Sequence, residues 1–127
     1  MKKIMLVVVD DNLVSRLLPK FILCSLDLQV QVLECETGAD ALRLIEIHPV
    51  THVLLDISMP NMDGMDVAKQ IKANPKLSRI KLIAYTADAM SAQMSQLKSS
   101  GFDDVLLKPL HRESLFKVLA LSDISHF

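Results

Sequence analysis

The sequence predicts a doubly wound α/β domain built on an open parallel sheet of five strands. Short apolar runs alternate with segments of helical periodicity along the 127 residues, as in repeated βα units. Most of these runs lack the polar–apolar alternation of a half-exposed sheet, so both faces of the sheet are expected to be covered. Half of the residues are hydrophobic and 23% are charged, which suits an ordered core. The length fits one domain.

Five runs of β-branched and aliphatic residues are the predicted strands. Parallel neighbours need crossover connections, and right-handed crossovers place helices on both faces of one sheet. The predicted strands are Ile4–Val9, Val30–Glu34, His52–Leu55, Ile80–Tyr85 and Val105–Leu107.

Amphipathic segments between and after these strands are the predicted helices. The first runs from about Leu13 to Ser25, is apolar through much of its length, and is expected to be kinked by Pro19. The other four each carry an apolar stripe at helical spacing. These stripes are Ala41, Leu42 and Ile45; Val67, Ala68 and Ile71; Met90, Met94 and Leu97; and Leu115, Val118 and Leu119.

Helix start signals support these assignments. Thr37 with Asp40 has the spacing of a capping box, and Asp63 precedes the helix that is expected to begin near Gly64. His111 stands where it would cap the last helix.

Charge and composition exclude several classes of protein. Lysine plus arginine (14) nearly balances aspartate plus glutamate (15), so the chain lacks the basic excess of a nucleic-acid-binding protein. The longest apolar run, Ile4–Val9, is too short to span a bilayer or to form a secretory signal. Cys24 and Cys35 lie among apolar neighbours without metal-binding spacing. We therefore expect reduced core thiols in a cytoplasmic protein that contacts no membrane.

Polar side chains follow the predicted strands at their carboxyl ends. Asp10 and Asp11 follow the first strand, Asp56 the third, Thr86 the fourth and Lys108 the fifth. Each residue alone could be a helix cap, a strand end or a solvated side chain. Because ligands bind at this edge of a doubly wound sheet, the five side chains together indicate one site.

This set of groups suits phosphoryl chemistry. Three adjacent carboxylates repel one another and need a cation, and hard oxygen ligands favour Mg²⁺, which commonly shares its site with a phosphoryl group. A carboxylate beside the ion can attack phosphorus to form an aspartyl phosphate. Lys108 and Thr86 would then stabilise the charge on the phosphoryl oxygens.

Four motifs in this order resemble the receiver domain of response regulators in two-component phosphorelay signalling. They are Asp10-Asp11-Asn12, the nine-residue stretch DISMPNMDG that starts at Asp56, Thr86-Ala87 and Lys108-Pro109. The residues of the first two motifs are especially similar to those of hybrid-kinase and multistep-phosphorelay receivers. A single-domain, chemotaxis-like receiver is the alternative form. The resemblance implies a flavodoxin-like (βα)5 fold with strand order 2-1-3-4-5. It also implies one receiver domain over 1–127, with its core at about 4–121 and no output domain.

The resemblance assigns the metal and phosphoryl roles residue by residue. Asp56 matches the phosphoacceptor, which takes the phosphoryl group from a phosphohistidine donor. Asp11 matches the direct ligand of Mg²⁺ or Mn²⁺, Asp10 the acid that holds the ion, commonly through water, and Ser58 the ligand that uses its backbone carbonyl. Such a domain is not an enzyme in the usual sense, since it promotes only its own phosphorylation and dephosphorylation.

The resemblance also assigns the switch residues, with one departure. Thr86 matches the hydroxyl that turns toward the phosphoryl oxygens, and Lys108 matches the cation that pairs with Asp56, its bond to Pro109 being cis. Receivers usually carry Tyr or Phe three residues before this lysine, where this chain has Val105. Tyr85, the only tyrosine, is expected to point away from the face of Thr86 and to be a packing residue.

The implied partners are proteins. A histidine kinase or a histidine phosphotransfer protein would donate the phosphoryl group to a monomer or weak dimer, without direct contact to nucleic acid. A downstream target would bind the face formed by residues 88–99, 104–107 and 111–121. Five methionines near the phosphorylation loop and the fourth helix could be an adaptable partner surface or core filling: Met59, Met62, Met65, Met90 and Met94.

Two other functions remain as alternatives. Val105 is compatible with a pseudo-receiver that binds partners without phosphorylation, although the intact acid set opposes this reading. A small aspartyl-phosphate phosphohydrolase would need a second acid two residues after the nucleophile, where Ser58 stands.

Overall fold

The computed structural model describes residues 3–24, 30–59, 64–88 and 94–120, and in these ranges five strands alternate with five helices. The elements are β1 (Ile4–Val9), α1 (Leu13–Leu23), β2 (Val30–Cys35), α2 (Gly38–Ile47), β3 (His52–Asp56), α3 (Gly64–Ala73), β4 (Lys81–Thr86), α4 (Met94–Ser99), β5 (Asp104–Leu107) and α5 (Arg112–Val118). All four strand pairings are parallel, and the order across the sheet is β2-β1-β3-β4-β5. The predicted fold class and strand order are confirmed.

The element boundaries differ from the predicted ones by one or two residues. β2 and β3 each extend one residue further than predicted, to Cys35 and Asp56, and β4 runs from Lys81 to Thr86. α1 ends at Leu23 and continues through Pro19, so the kink at that residue stays a prediction. Met90 and Asp63 lie outside the described residues.

Two apolar layers cover the sheet, one on each face. Alternate residues of β1 enter different layers: Val7 and Val9 pack toward α2, α3 and α4, whereas Leu6 and Val8 pack toward α1 and α5. Tyr85 belongs to the second layer and is 1% exposed, which confirms that it packs in the core.

The observed helix caps agree in part with those predicted from the sequence. The Thr37 hydroxyl accepts a hydrogen bond from the Asp40 amide at 3.1 Å, as a capping residue should. Asn12 caps α1 by accepting the Ser15 amide hydrogen at 3.0 Å. His111 occupies the N-cap position of α5, but its side chain makes no capping hydrogen bond.

The cysteine prediction is wrong in one respect. Both thiols are free, yet Cys24 is exposed at the end of α1 and is not a core thiol, whereas Cys35 is partly buried and packs against one of the two apolar layers. α1 carries part of its apolar surface on the outside, which the apolar neighbours of Cys24 do not reveal.

Two of the methionines fill the core. Met59 is buried in the layer beneath α3, and Met65 packs against the same layer. Met62, Met90 and the side chain of Met94 lie outside the described part of the chain. None of the helices within the described ranges is long and apolar enough to cross a membrane.

Candidate functional site

The acidic residues meet where β1 and β3 end. These two strands are neighbours in the sheet, with Val9 level with Leu55, so Asp10 and Asp56 follow side by side. Carboxylate oxygens of Asp10, Asp11 and Asp56 all lie within 4.8 Å of one another. Asp10 and Asp56 are buried, whereas Asp11 is exposed. The structure thus brings together the three acids that the sequence places at this edge.

Lys108 supplies the positive charge of the site. Its Nζ lies 2.9 Å from Asp10 Oδ2 and 3.3 Å from Asp56 Oδ2. Its backbone amide donates to the Thr86 carbonyl at 2.8 Å, and its peptide bond to Pro109 is cis, as the sequence resemblance implies. One ammonium group therefore serves two buried carboxylates.

Ser58 holds the other oxygen of Asp56. Asp56 Oδ1 accepts hydrogen bonds from the Ser58 amide at 2.8 Å and from the Ser58 hydroxyl at 2.7 Å. Burial raises the pKa of Asp56, but these two hydrogen bonds and the charge of Lys108 outweigh it and lower the pKa below its usual value. Asp56 is consequently an anion at neutral pH.

The surroundings of Asp10 stabilise its charged form less than those of Asp56 do. Its Oδ1 accepts the Asn12 amide hydrogen at 2.9 Å, and burial together with the nearby charge of Asp56 raises its pKa, against the opposing effect of Lys108. Asp10 Oδ2 is fully buried and receives no well-aligned hydrogen bond from the described residues, so its contact with Lys108 is an ion pair. A buried carboxylate oxygen with unmet acceptor capacity suits a bound cation.

A buried arginine reinforces the same turn, and sequence reasoning did not find it. Arg16 Nη1 donates to the Asp10 carbonyl at 3.1 Å, and the guanidinium also pairs with Glu34 at 3.3 Å and Glu36 at 3.1 Å. The sequence did contain a signal for this contact, because a basic residue lies one turn into a predicted helix that follows an acidic loop.

The two predicted switch positions lie near the end of the sheet. Thr86 is fully buried, and among the described residues its hydroxyl oxygen accepts the Asp88 amide hydrogen at 3.1 Å. Val105 is partly buried and packs against the layer on the face of α2, α3 and α4. Val105 thus places a branched aliphatic side chain where the resemblance leads one to expect an aromatic ring.

Tyr85 contacts the site as well as the core. Its ring centroid lies 4.8 Å from Lys108 Nζ, and its hydroxyl is 3.5 Å from the Ser15 carbonyl of α1. Burial and the charges of Asp10 and Asp56 raise the pKa of Tyr85 to about 12. The sequence carried a signal for this contact, because strand alternation puts Tyr85 on the same sheet face as Asp56.

A doubly wound sheet with this acid–lysine site at its carboxyl edge is the arrangement of a signalling receiver. The family model for the response regulator receiver domain matches residues 6–120. The chain belongs to this family.

Similar proteins include sensor histidine kinases. The chain is 36% identical over 112 residues to the signal transduction histidine-protein kinase BarA of Escherichia coli and 33% identical over 114 residues to the sensor histidine kinase GacS of Pseudomonas protegens. Each match covers 87% of this chain but only 12% of the relative. The chain thus spans about an eighth of the length of these curated relatives.

Solved receiver structures have the same fold. The receiver domain of a sensor histidine kinase from Pseudomonas aeruginosa, with a magnesium ion coordinated in its active site cleft, matches with a TM-score of 0.78 and 28% identity. That match covers 93% of this chain and 95% of the other. A chemotaxis response regulator of Vibrio cholerae matches with a TM-score of 0.81 and 22% identity, covering 94% and 98% of the two chains.

Proposed function

We propose that this receiver domain accepts a phosphoryl group on Asp56 from a phosphohistidine donor and thereby changes its contacts with other proteins. The observation that carries the proposal is the cluster of three carboxylates, two of which pair with the Lys108 ammonium. Asp56 is ionised, buried and within 3.3 Å of that cation. It therefore combines a nucleophilic oxygen with a group that can neutralise an incoming phosphoryl oxygen.

The acids also suit a divalent cation. Asp10, Asp11 and Asp56 would hold Mg²⁺ or Mn²⁺ together with the Ser58 backbone carbonyl, and the buried Oδ2 of Asp10 has capacity for such an ion. When bound, the ion supplies positive charge to phosphoryl oxygens during transfer. The magnesium ion in the Pseudomonas receiver supports this part of the proposal.

The chain's own residues would carry the transfer as follows. One oxygen of Asp56 forms a bond to phosphorus while the phosphorus–nitrogen bond of the donor histidine breaks, and the departing imidazole takes up one proton from solvent. Lys108 moves its ion pair from the carboxylate to a phosphoryl oxygen, and the Thr86 hydroxyl donates a hydrogen bond to another. Ser58 keeps Asp56 deprotonated before the transfer.

The partners follow from the family and from the relatives. A histidine kinase or a histidine phosphotransfer protein would be the donor, since the curated relatives are kinases that contain a similar domain. The downstream target would bind through residues 88–99, 104–107 and 111–121, of which 89–93 and 121 lie outside the described residues. We place this function in the cytoplasm, where the donors act.

Intact mass spectrometry after acetyl phosphate treatment tests the proposal. The unaltered chain should gain one phosphoryl group with Mg²⁺ and none with a chelator, because the carboxylates alone repel the anionic donor. Asp56→Asn should gain none under either condition. The matched control is Asp66→Asn on the exposed first turn of α3, which should be labelled like the unaltered chain.

Two outcomes would contradict the proposal. Labelling of Asp56→Asn at the level of the unaltered chain would show that another residue accepts the group. A chain labelled neither by acetyl phosphate nor by a phosphohistidine protein, although Mg²⁺ shifts the amide resonances of Asp11, would instead be a binding module that works without phosphorylation.

A further inference from the structure

We propose that Tyr85 is a positioning residue for Lys108. The face of the Tyr85 ring contacts the lysine side chain and helps to hold its ammonium group beside the carboxylates. The inference rests on the phosphoacceptor function proposed above, and it names a residue that sets the geometry of that site. Tyr85 itself touches neither carboxylate through a described hydrogen bond, so its effect is exerted through Lys108.

The strand order places Tyr85 between Lys108 and Asp56. Lys108 follows the edge strand β5, whereas Asp56 ends β3, and β4 lies between them. Neighbouring strands are about 5 Å apart, so the side chains of Lys108 and Asp56 must together bridge about 10 Å across the sheet. Tyr85 stands at that point on β4, level with Asp56 on one side and with Leu106 on the other.

The contact itself has the geometry of a cation–π interaction. Lys108 Nζ lies 4.8 Å from the centroid of the Tyr85 ring, inside the range of about 6 Å over which such contacts are attractive. The ring is 1% exposed and is packed between α1, α5 and the sheet, so its position is fixed. The ammonium group thus touches two carboxylates and one immobile aromatic face.

A supported lysine matters because its free side chain is flexible. A lysine side chain has four rotatable bonds, and it loses most of that freedom when its ammonium group is held at one place. The ring reduces the number of positions open to the ammonium before a phosphoryl group arrives, so less ordering remains at that step. The ring face provides this effect, and the hydroxyl is not needed for it.

Binding of beryllofluoride, a stable stand-in for the phosphoryl group, tests the inference in the presence of Mg²⁺. We expect Tyr85→Phe, which keeps the ring, to bind with the affinity of the unaltered chain. Tyr85→Leu should bind about three- to thirtyfold more weakly, the range that cation–π contacts cover. Amide chemical shifts report the binding, and Ile83→Val, a change in the same apolar layer, is the packing control and should alter stability without altering affinity.

A second measurement observes the contact directly. The ring current of Tyr85 should shift the methylene protons beside Nζ of Lys108 upfield in the unaltered chain and in Tyr85→Phe, and this shift should vanish in Tyr85→Leu. Should Tyr85→Leu fail to fold, Tyr85→Met takes its place, and an unshifted Lys108 in the unaltered chain overturns the inference without any variant.

The possible failures are distinguishable. If the unaltered chain binds beryllofluoride and Tyr85→Leu binds it equally well, the inference is wrong while the phosphoacceptor function stands. If the unaltered chain binds no beryllofluoride and takes no phosphoryl group from a phosphohistidine protein, the proposed function fails, and the inference fails with it.

Discussion

Two buried carboxylates beside one ammonium group have opposite pKa shifts, and hydrogen bonding explains the difference. Asp56 receives two hydrogen bonds from Ser58 on one oxygen and one from Lys108 on the other. Asp10 receives one from a backbone amide, and its Oδ2 depends on charge attraction alone. Burial is similar for both, so the number of donors decides which acid ionises more readily.

The first prediction concerns the hydroxyl of Ser58. Its removal in Ser58→Ala should raise the pKa of Asp56, because one of the hydrogen bonds that favour the anion is lost. A carboxyl group whose folded-state pKa lies below its unfolded value contributes stability above the unfolded pKa of 3.8, and that stability disappears as the pH falls through the folded pKa. Ser58→Ala should therefore lose stability at pH 7, and the loss should shrink as the pH falls from 3.8 through the folded-state pKa of Asp56.

Carboxyl-carbon NMR titration in a chelator measures this pKa. The control is Ser114→Ala, which removes an exposed hydroxyl from the first turn of α5 and should leave Asp56 unchanged. An Asp56 pKa that stays constant or falls in Ser58→Ala would contradict the prediction.

Among the helices, α1 is linked to the acid site through the side chain of Arg16. Arg16 reaches from its first turns to the end of β2 and to the loop that carries Asp10. The guanidinium thus joins a helix, an edge strand and the acidic loop, while the outer surface of α1 remains apolar, with Phe21 77% exposed.

The second prediction tests this connection. Arg16→Met keeps most of the side-chain volume but removes the guanidinium that contacts the Asp10 carbonyl and Glu34. We expect the free energy of unfolding to fall by about 2 kcal/mol, the usual effect of losing hydrogen bonds to a charged group. Chemical denaturation measures it.

A neighbouring lysine is the matched control for Arg16. Lys20 also approaches Glu34, at 4.0 Å, but its side chain is 57% exposed. Lys20→Met should change stability by no more than about 0.5 kcal/mol, as is usual for exposed ion pairs. Equal losses in the two variants would show that Arg16 acts only as a surface charge.

The acid site lowers the stability of the whole molecule at neutral pH. Asp10 is buried beside another acid, and its pKa is raised, so its charged form destabilises the fold at neutral pH. This cost is complete above the folded-state pKa and disappears below the unfolded value of 3.8. A cation held by these carboxylates would offset the cost, because it would bind the folded state.

The third prediction follows from that cost. In a chelator at pH 7, Asp10→Asn should melt at a higher temperature than the unaltered chain, by about 4 °C for each kcal/mol of relieved repulsion. The gain should diminish as the pH approaches 3.8. Added Mg²⁺ should raise the melting temperature of the unaltered chain more than that of the variant, so the difference narrows.

Calorimetry at several pH values measures these shifts. The control is Asp66→Asn, an exposed acid on α3, which should change the melting temperature little under any of the conditions. A lower melting temperature for Asp10→Asn in chelator would show that its ion pair with Lys108 outweighs the burial cost.

The sequence by itself determined the fold and the membership of the acid cluster. Apolar runs and helical stripes depend on local periodicity. This periodicity can be read directly from the order of the residues, and it determines which of them can face a core. The ends of parallel strands meet at one edge, so Asp10, Asp56 and Lys108 could be assigned to one site before any coordinates were known.

Only the tertiary structure decided how these residues are held. The support of Lys108 by Tyr85, the anchoring of Asp10 by Arg16 and the exposure of Cys24 depend on how far long side chains reach across neighbouring elements. Periodicity gives the face on which a residue lies but not its distance from a side chain on another element. That distance is set when the helices and strands pack together, and the ionisation of Asp10 and Asp56 follows from it.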